Sequence, residues 1–258
     1  MAFSGWNDAC DAASDVIGHL AEAYDAQPLG RVQPGAYYDL QRHRPLVTVG
    51  ADGRRVVSWV TTDVLLAKHP LVDLILVRGP EPTFRWEEFC ADILAIVAPL
   101  APELACTLGA VSADIPHTRD LPVRAFTQSP ELAAELSAEA IAHEGFTGIT
   151  GIAADACDDA GIPSLRVWVS VPSYVSTPPS PKATLALLVE LQRLLDIEID
   201  VWELAENSEQ WSSAMDELAG EQGLSTWVNH LDEASERESP RSDNLADEIL
   251  SFLRRRTN

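Results

Sequence analysis

Three apolar runs set the limits on what this chain can fold into: Leu71 to Val77, Leu104 to Val111 and Leu165 to Val171. Runs of this kind read as strands buried on both faces. Each is separated from the next by at least one stretch with helical spacing. One such stretch has Trp86, Phe89, Ile93, Ile96 and Val97 on one face, with Glu87 and Glu88 in the first turn and Thr83 as the expected cap. Strands alternating with helices predict an α/β fold with a mostly parallel sheet covered by helices.

The remaining elements fit that frame. An amphipathic helix with Ala13, Val16, Ile17, Leu20 and Tyr24 inward follows the turn Gly5-Trp6-Asn7-Asp8, where Asn7 or Asp8 is the expected cap. Ala51-Asp52-Gly53 between Leu46–Val49 and Arg55–Val60 signals a hairpin. A short strand is expected over 123–127. Ser129-Pro130 opens a helix, and Thr150 caps another that runs to Ala160. Ser180-Pro181 opens a helix from Lys182 to Leu195 that is apolar almost all round, so it is either buried or part of a subunit interface.

From Asp200 the character changes. Trp211, Met215 and Leu218 form one helical stripe, and Leu224, Trp227, Val228 and Leu231 form another. The expected organisation is an α/β domain over 1–199 and an acidic helical extension over 200–258. Within the extension a polar linker spans about 233–244, and a last helix carries Leu245, Ile249, Phe252 and Leu253.

Formal net charge is −22. A phosphate backbone would be repelled, so nucleic acid is not an expected partner. No apolar stretch is long enough to span a bilayer. The N-terminus is amphipathic and acidic with no signal-peptide pattern, and Cys10, Cys90, Cys106 and Cys157 match no zinc or CxxC spacing. The expectation is a cytoplasmic protein with reduced thiols, no membrane contact and no metal site.

Chemistry concentrates in the loops after the strands, which share one edge of a parallel sheet. The densest is Asp114-Ile115-Pro116-His117-Thr118-Arg119. With Asp8, Glu81, Arg85 and Tyr174 from the other loops, it offers carboxylates, an imidazole, guanidinia and a phenol. His117, Asp8 and Asp114 are the catalytic candidates. His117 is either a general acid–base or a hydrogen bonder that locks the loop between Asp114 and Thr118. Asn7, Arg85, Arg119, Gly148 and Tyr174 are the ligand-binding candidates. Arg85 and Arg119 either clamp an anion or pair with Glu81 and Asp114. Gly145 to Gly151 precedes a helix and offers amides to an anion, or else the glycines serve close packing. It lacks the lysine of a phosphate loop, no cofactor is expected, and Ser173 has no visible base.

At this point the chain resembles a known family. Phe3-Ser4-Gly5-Trp6-Asn7-Asp8-Ala9, Val77-Arg78-Gly79-Pro80-Glu81-Pro82, Leu108-Gly109-Ala110 through Arg119, Gly145-Phe146-Thr147-Gly148, Val171-Pro172-Ser173-Tyr174 and Pro179-Ser180-Pro181-Lys182-Ala183 look like the PAC2 family, named after proteasome assembly chaperones. The branch it is similar to is typical of actinobacteria. The resemblance implies an α/β domain like the nucleoside phosphorylase and hydrolase class, with a helical C-terminal extension. It also implies homo-oligomers, such as trimers. Relatives carry two labels, assembly chaperone and ATP-dependent carboxylate–amine ligase; no nucleotide-binding lysine or magnesium carboxylate pattern supports the second here. Two departures stand out. The family has a fuller first strand than Met1-Ala2-Phe3-Ser4, and Arg256-Thr257-Asn258 lacks the hydrophobic–Tyr–any ending of proteasome-docking chaperones.

Two functions stay open. One is a non-enzymatic assembly chaperone or scaffold acting as a homo-oligomer, with other proteins as further partners. The other is a protein or enzyme binding a small anionic or nucleoside-like ligand at the strand-end loops.

Overall fold

The structure of the chain, a computed structural model, describes residues 1–175 and 177–237. The expected last helix, with Leu245, Ile249, Phe252 and Leu253, lies outside these residues.

Strand β1 (Ala2–Ser4) runs parallel to β6 (Asp73–Pro80). Beyond β6 come β5 (Thr62–Lys68) and β2 (Gln27–Val32), each antiparallel to its neighbour. A second sheet has the order β7 (Ala105–Ala113), β10 (Ser164–Pro172), β8 (Val123–Thr127) and β9 (Glu139–Ala140). β7 and β10 are parallel over their whole length, and β8 runs against β10. The two sheets meet at β1 and β7. Leu108 N donates to Met1 O, the Met1 amino group donates to Cys106 O, and Asp8 bridges Ala110 in parallel. The α/β class is the expected one; the strands that run against the others of their sheet are β5 in the first and β8 and β9 in the second. Sequence reading passed over β5 and β2; Gly30 and the charged ends of Thr62–Lys68 break the apolar pattern that marks a buried strand.

Helices cover both faces. On one face lie α1 (Ala12–Ala23) and α5 (Pro181–Leu195), whose Val16, Ile17, Leu187 and Leu188 share one core cluster with Val167 and Val169. On the other lie α2 (Trp86–Val97) and α4 (Ile149–Asp159), where Phe3 meets Phe89 edge-on with ring centroids 5.8 Å apart. A short α3 (Pro130–Leu136) has Ser129 Oγ accepting from Leu132 N, the cap expected there. α5 buries Ala183, Leu187, Leu188, Leu191 and Leu194 and is covered in turn by α6 (Trp202–Glu221). Of the two readings for that helix, burial is the one that holds for this apolar face.

Three local expectations change. Thr83 does not cap α2; its Oγ1 accepts from Asp39 N, and α2 starts from Arg85 in the left-handed region. Thr150 lies inside α4, which starts from Gly148. Helix α7 (Ser225–Arg237) continues through 233–237, the first residues of the stretch read as a linker.

The hairpin of β3 (Leu46–Val49) and β4 (Arg55–Ser58) forms as expected, with Val47 opposite Val57. It pairs with neither sheet. Leu46, Val47, Val49, Val56 and Val57 are all exposed.

Candidate functional site

The carboxyl ends of β1, β6, β7 and β10 share one edge, and the candidate residues other than Arg85 lie there in two clusters.

The first is built around the turn after β1. Asp8 is buried, and its Oδ1 accepts from Ala13 N at 2.7 Å, while Ser14 Oγ donates to Oδ2. It therefore caps α1 from across a single 3-10 turn. Burial pushes its carboxyl up to about 6, against the pull of the Ser14 and Ala13 hydrogen bonds. Asn7 Oδ1 accepts from Thr150 Oγ1 at 3.1 Å. Gly148 is required here, because a Cβ on it would stand 1.7 Å from Asn7 Oδ1. Glu81 lies across the start of α4: its Oε1 accepts from Ile149 N, and its Oε2 from Trp6 N. The helix N-terminus that would attract an anion already faces a carboxylate from its own chain.

The second cluster surrounds His117, which is 1% exposed. Its backbone N–H donates to Tyr174 Oη at 2.7 Å, and its Nδ1 lies 2.7 Å from the same oxygen. Its Nε2 is 3.1 Å from Asp216 Oδ1 on α6. The tyrosine oxygen thus holds both the backbone and the ring of His117. Trp211 closes over the ring edge-on at 6.4 Å. Lys182 Nζ donates to His117 O at 2.7 Å, and burial lowers its pKa. The Tyr174 hydroxyl is pushed up to about 12, chiefly by burial.

The ionic neighbours expected for this loop are not the ones found. Arg119 turns to α7: its Nε donates to Asp232 at 2.8 Å and its Nη2 to Glu236 at 2.6 Å. Thr118 Oγ1 also reaches Asp232. Asp114 accepts from Ser173 Oγ at 2.7 Å. His117 is thus locked by Tyr174 and Asp216 rather than by Asp114 and Thr118. Arg85 forks onto Glu88 on its own helix instead of meeting Glu81. It shares no partner with Arg119, so the two do not form a single clamp. Arg85 instead borders a cavity of about 360 Å³ with Arg31, Tyr37 and Asp92.

The tail residues Asp216, Asp232, Glu236 and Trp211 were missed as members of this edge. Their helical stripes were visible in sequence, but nothing there said which loop the stripes would meet. Among the described residues, no group of three or more His, Cys, Asp or Glu is placed to hold a metal ion, and no helix is long and apolar enough to cross a membrane.

The chain was compared with known proteins. It matches the PAC2 family model over residues 2–219, which reaches past the α/β domain through nearly all of α6. It is similar to a PAC2 family protein from Streptomyces avermitilis of known crystal structure: 42% identity, a TM-score of 0.82, and 88% of this chain and 97% of that chain covered. It is also similar to a Mycobacterium tuberculosis protein described as a proteasome-assembly chaperone homologue: 39% identity, a TM-score of 0.77, and 84% and 92% covered. A more distant likeness in fold is to Pyrococcus furiosus PbaB, an archaeal proteasome activator: 17% identity, a TM-score of 0.61, and 79% and 86% covered. No match was found among curated proteins. With the family model matching residues 2–219 and relatives of 42% and 39% identity, the chain belongs to the PAC2 family.

Proposed function

We infer that this protein is a non-enzymatic assembly chaperone or scaffold that acts through protein contacts, as a homo-oligomer in the cytoplasm. The observation that carries the reading is the state of His117. It is the strongest acid–base candidate of the chain, yet it is buried under Trp211 with both ring nitrogens bonded to Tyr174 and Asp216. A proton-transfer group needs hydrogen-bond reach to a substrate. Glu81 fills the other approach, at the start of α4.

Self-association draws support from the hairpin. A two-stranded ribbon is marginal alone in water. This one leaves Val49 70% and Leu46 63% exposed, with Trp59 just beyond it. Contiguous apolar surface of this kind marks contact sites. The likeness to a proteasome-assembly chaperone homologue suggests proteasome subunits as the client. The test is the rate at which purified proteasome subunits from the same source assemble, followed by native mass spectrometry with and without the full chain. The reading expects faster assembly, or an intermediate containing the chain. An unchanged rate with no such intermediate would overturn it.

The small-molecule reading keeps one foothold, the open cavity beside Arg31, Tyr37, Arg85 and Asp92. Its test is a thermal-shift screen with inorganic phosphate, nucleosides and nucleotides. A shift lost in Arg85→Ala would support it, and a flat panel would remove it.

A further inference from the structure

The β3–β4 hairpin is a basic feature on an acidic chain. Between Leu40 and Val60 there are four arginines and one carboxylate, whereas the whole chain carries a net charge of −22. All four arginines are exposed. Arg54 stands 3.7 Å from Asp52. Among the described residues, Arg42, Arg44 and Arg55 have no carboxylate within ion-pair distance. The ribbon also has one distinctly apolar face. Side chains alternate across it, and the register sets Val47 opposite Val57 and Val49 opposite Arg55. Those four side chains therefore share a face, and Trp59, 51% exposed, follows directly after β4. An apolar strip bordered by arginines and a tryptophan has the composition of an interface centre.

The opposite charge is concentrated on the helices after α5. From Asp200 to Glu236 there are ten carboxylates and no lysine or arginine. Along α6, Trp202, Glu206, Glu209, Ser213 and Glu217 recur at spacings of three and four, so they share one helix face. All five are exposed, Trp202 by 72%. Among the described residues, no cation pairs with Glu206, Glu209 or Glu217. Like charges at helical spacing repel, so this stripe is unfavourable until cations meet it. The hairpin of the same chain is not placed to supply them. The segment leading into it is rooted on the α2 side, where Tyr37 and Tyr38 meet Phe89 edge-on at 5.4 and 6.4 Å. α6 lies over α5, on the other side of the sheets. A contact between the two surfaces therefore joins two chains.

We propose that the hairpin of one chain lies across the outer face of α6 of a second copy, where its arginines meet Glu206, Glu209 and Glu217 and its apolar face covers Trp202. The proposal rests on the self-association inferred above and names the surface that receives the hairpin. Copies of a chain this acidic repel one another, and the basic ribbon supplies the local attraction that overcomes this. The valines and Trp202 then form the dry centre of the contact, and the ion pairs form its rim and fix its register. Each chain offers one hairpin and one α6 face, so the contact joins two different surfaces and repeats around a closed assembly.

The test is charge reversal on the full chain, read as molar mass by light scattering at low salt. The hairpin variant is Arg42→Glu/Arg44→Glu/Arg55→Glu, and the helix variant is Glu206→Arg/Glu209→Arg/Glu217→Arg. All six positions are exposed, so the circular dichroism of both should match the wild type. Each variant alone should run at 28.0 kDa, and an equimolar mixture of the two should regain the wild-type oligomer, because each then offers the charge that the other needs. A helix variant that keeps the oligomeric mass would overturn α6 as the receiving surface and leave the self-association reading standing. A mixture that stays at 28.0 kDa would also overturn the proposal. A wild type of 28.0 kDa would overturn both this proposal and the self-association on which it rests.

Discussion

Asp216 of α6 reaches across 99 positions of sequence to stand 3.1 Å from Nε2 of His117. That contact, with Trp211 beside it, turns the most chemically loaded loop of the chain into the anchor of its C-terminal helices. Removing the phenol beneath it tests this directly. Tyr174→Phe leaves the buried His117 N–H and Nδ1 without their partner, and an orphaned buried polar group costs ~1–3 kcal/mol. Chemical denaturation should show a loss in that range, and proteolysis should release the tail sooner. Unchanged stability would mean that the loop is held elsewhere.

Asp8 gives a pH signature. Its folded pKa is raised, to about 6 from an ordinary 3.8, mainly by burial. The folded state therefore favours the protonated form. That contribution is complete below about pH 4 and is lost as pH rises through about 6. The rise from 3.8 to about 6 corresponds to at most ~3 kcal/mol. Asp8→Asn keeps an oxygen for Ala13 N and cannot ionise. Unfolding free energies measured between pH 4 and 7 should show the wild type losing ground to the variant across that window. Parallel profiles would contradict the burial argument.

Gly148 and Asn7 form a coupled pair. A Cβ at Gly148 collides with Asn7 Oδ1, so Gly148→Ala should cost ~1–3 kcal/mol as an overpacked site. Asn7→Ala removes the obstructing oxygen along with the Thr150 bond. The double variant should be more stable than the sum of the two single losses, a coupling that a double-mutant cycle measures. Simple additivity would show that the glycine answers to something other than this close approach.

How much of this was legible in the sequence differs from element to element. The buried strands β6, β7 and β10 showed as apolar runs, and the hairpin showed through Asp52-Gly53. β2 and β5 did not show: they lie toward the outer edge of the first sheet, where mixed burial leaves no continuous apolar signal. Asn7, Asp8, Glu81 and Gly148 gather in one cluster and His117 and Tyr174 in another, but the partners expected for Arg85 and Arg119 are not the ones found. Arg119 pairs with Asp232 and Glu236, more than 100 positions away, because helix docking decides that choice and local spacing says nothing about it. Glu81 read as a loop acid; only the fold brings it to the start of α4.

Action through protein contacts, with self-association through the hairpin, is the claim a single measurement reaches most directly. The direct measurement is the molar mass of the full chain by size-exclusion light scattering, alongside Val47→Asp/Val57→Asp, which places two carboxylates directly opposite each other on the exposed ribbon. The account predicts a wild-type mass that is an integral multiple of 28.0 kDa, falling to 28.0 kDa in the variant with unchanged circular dichroism. A wild type of 28.0 kDa, or a variant that keeps the full oligomeric mass, would contradict it.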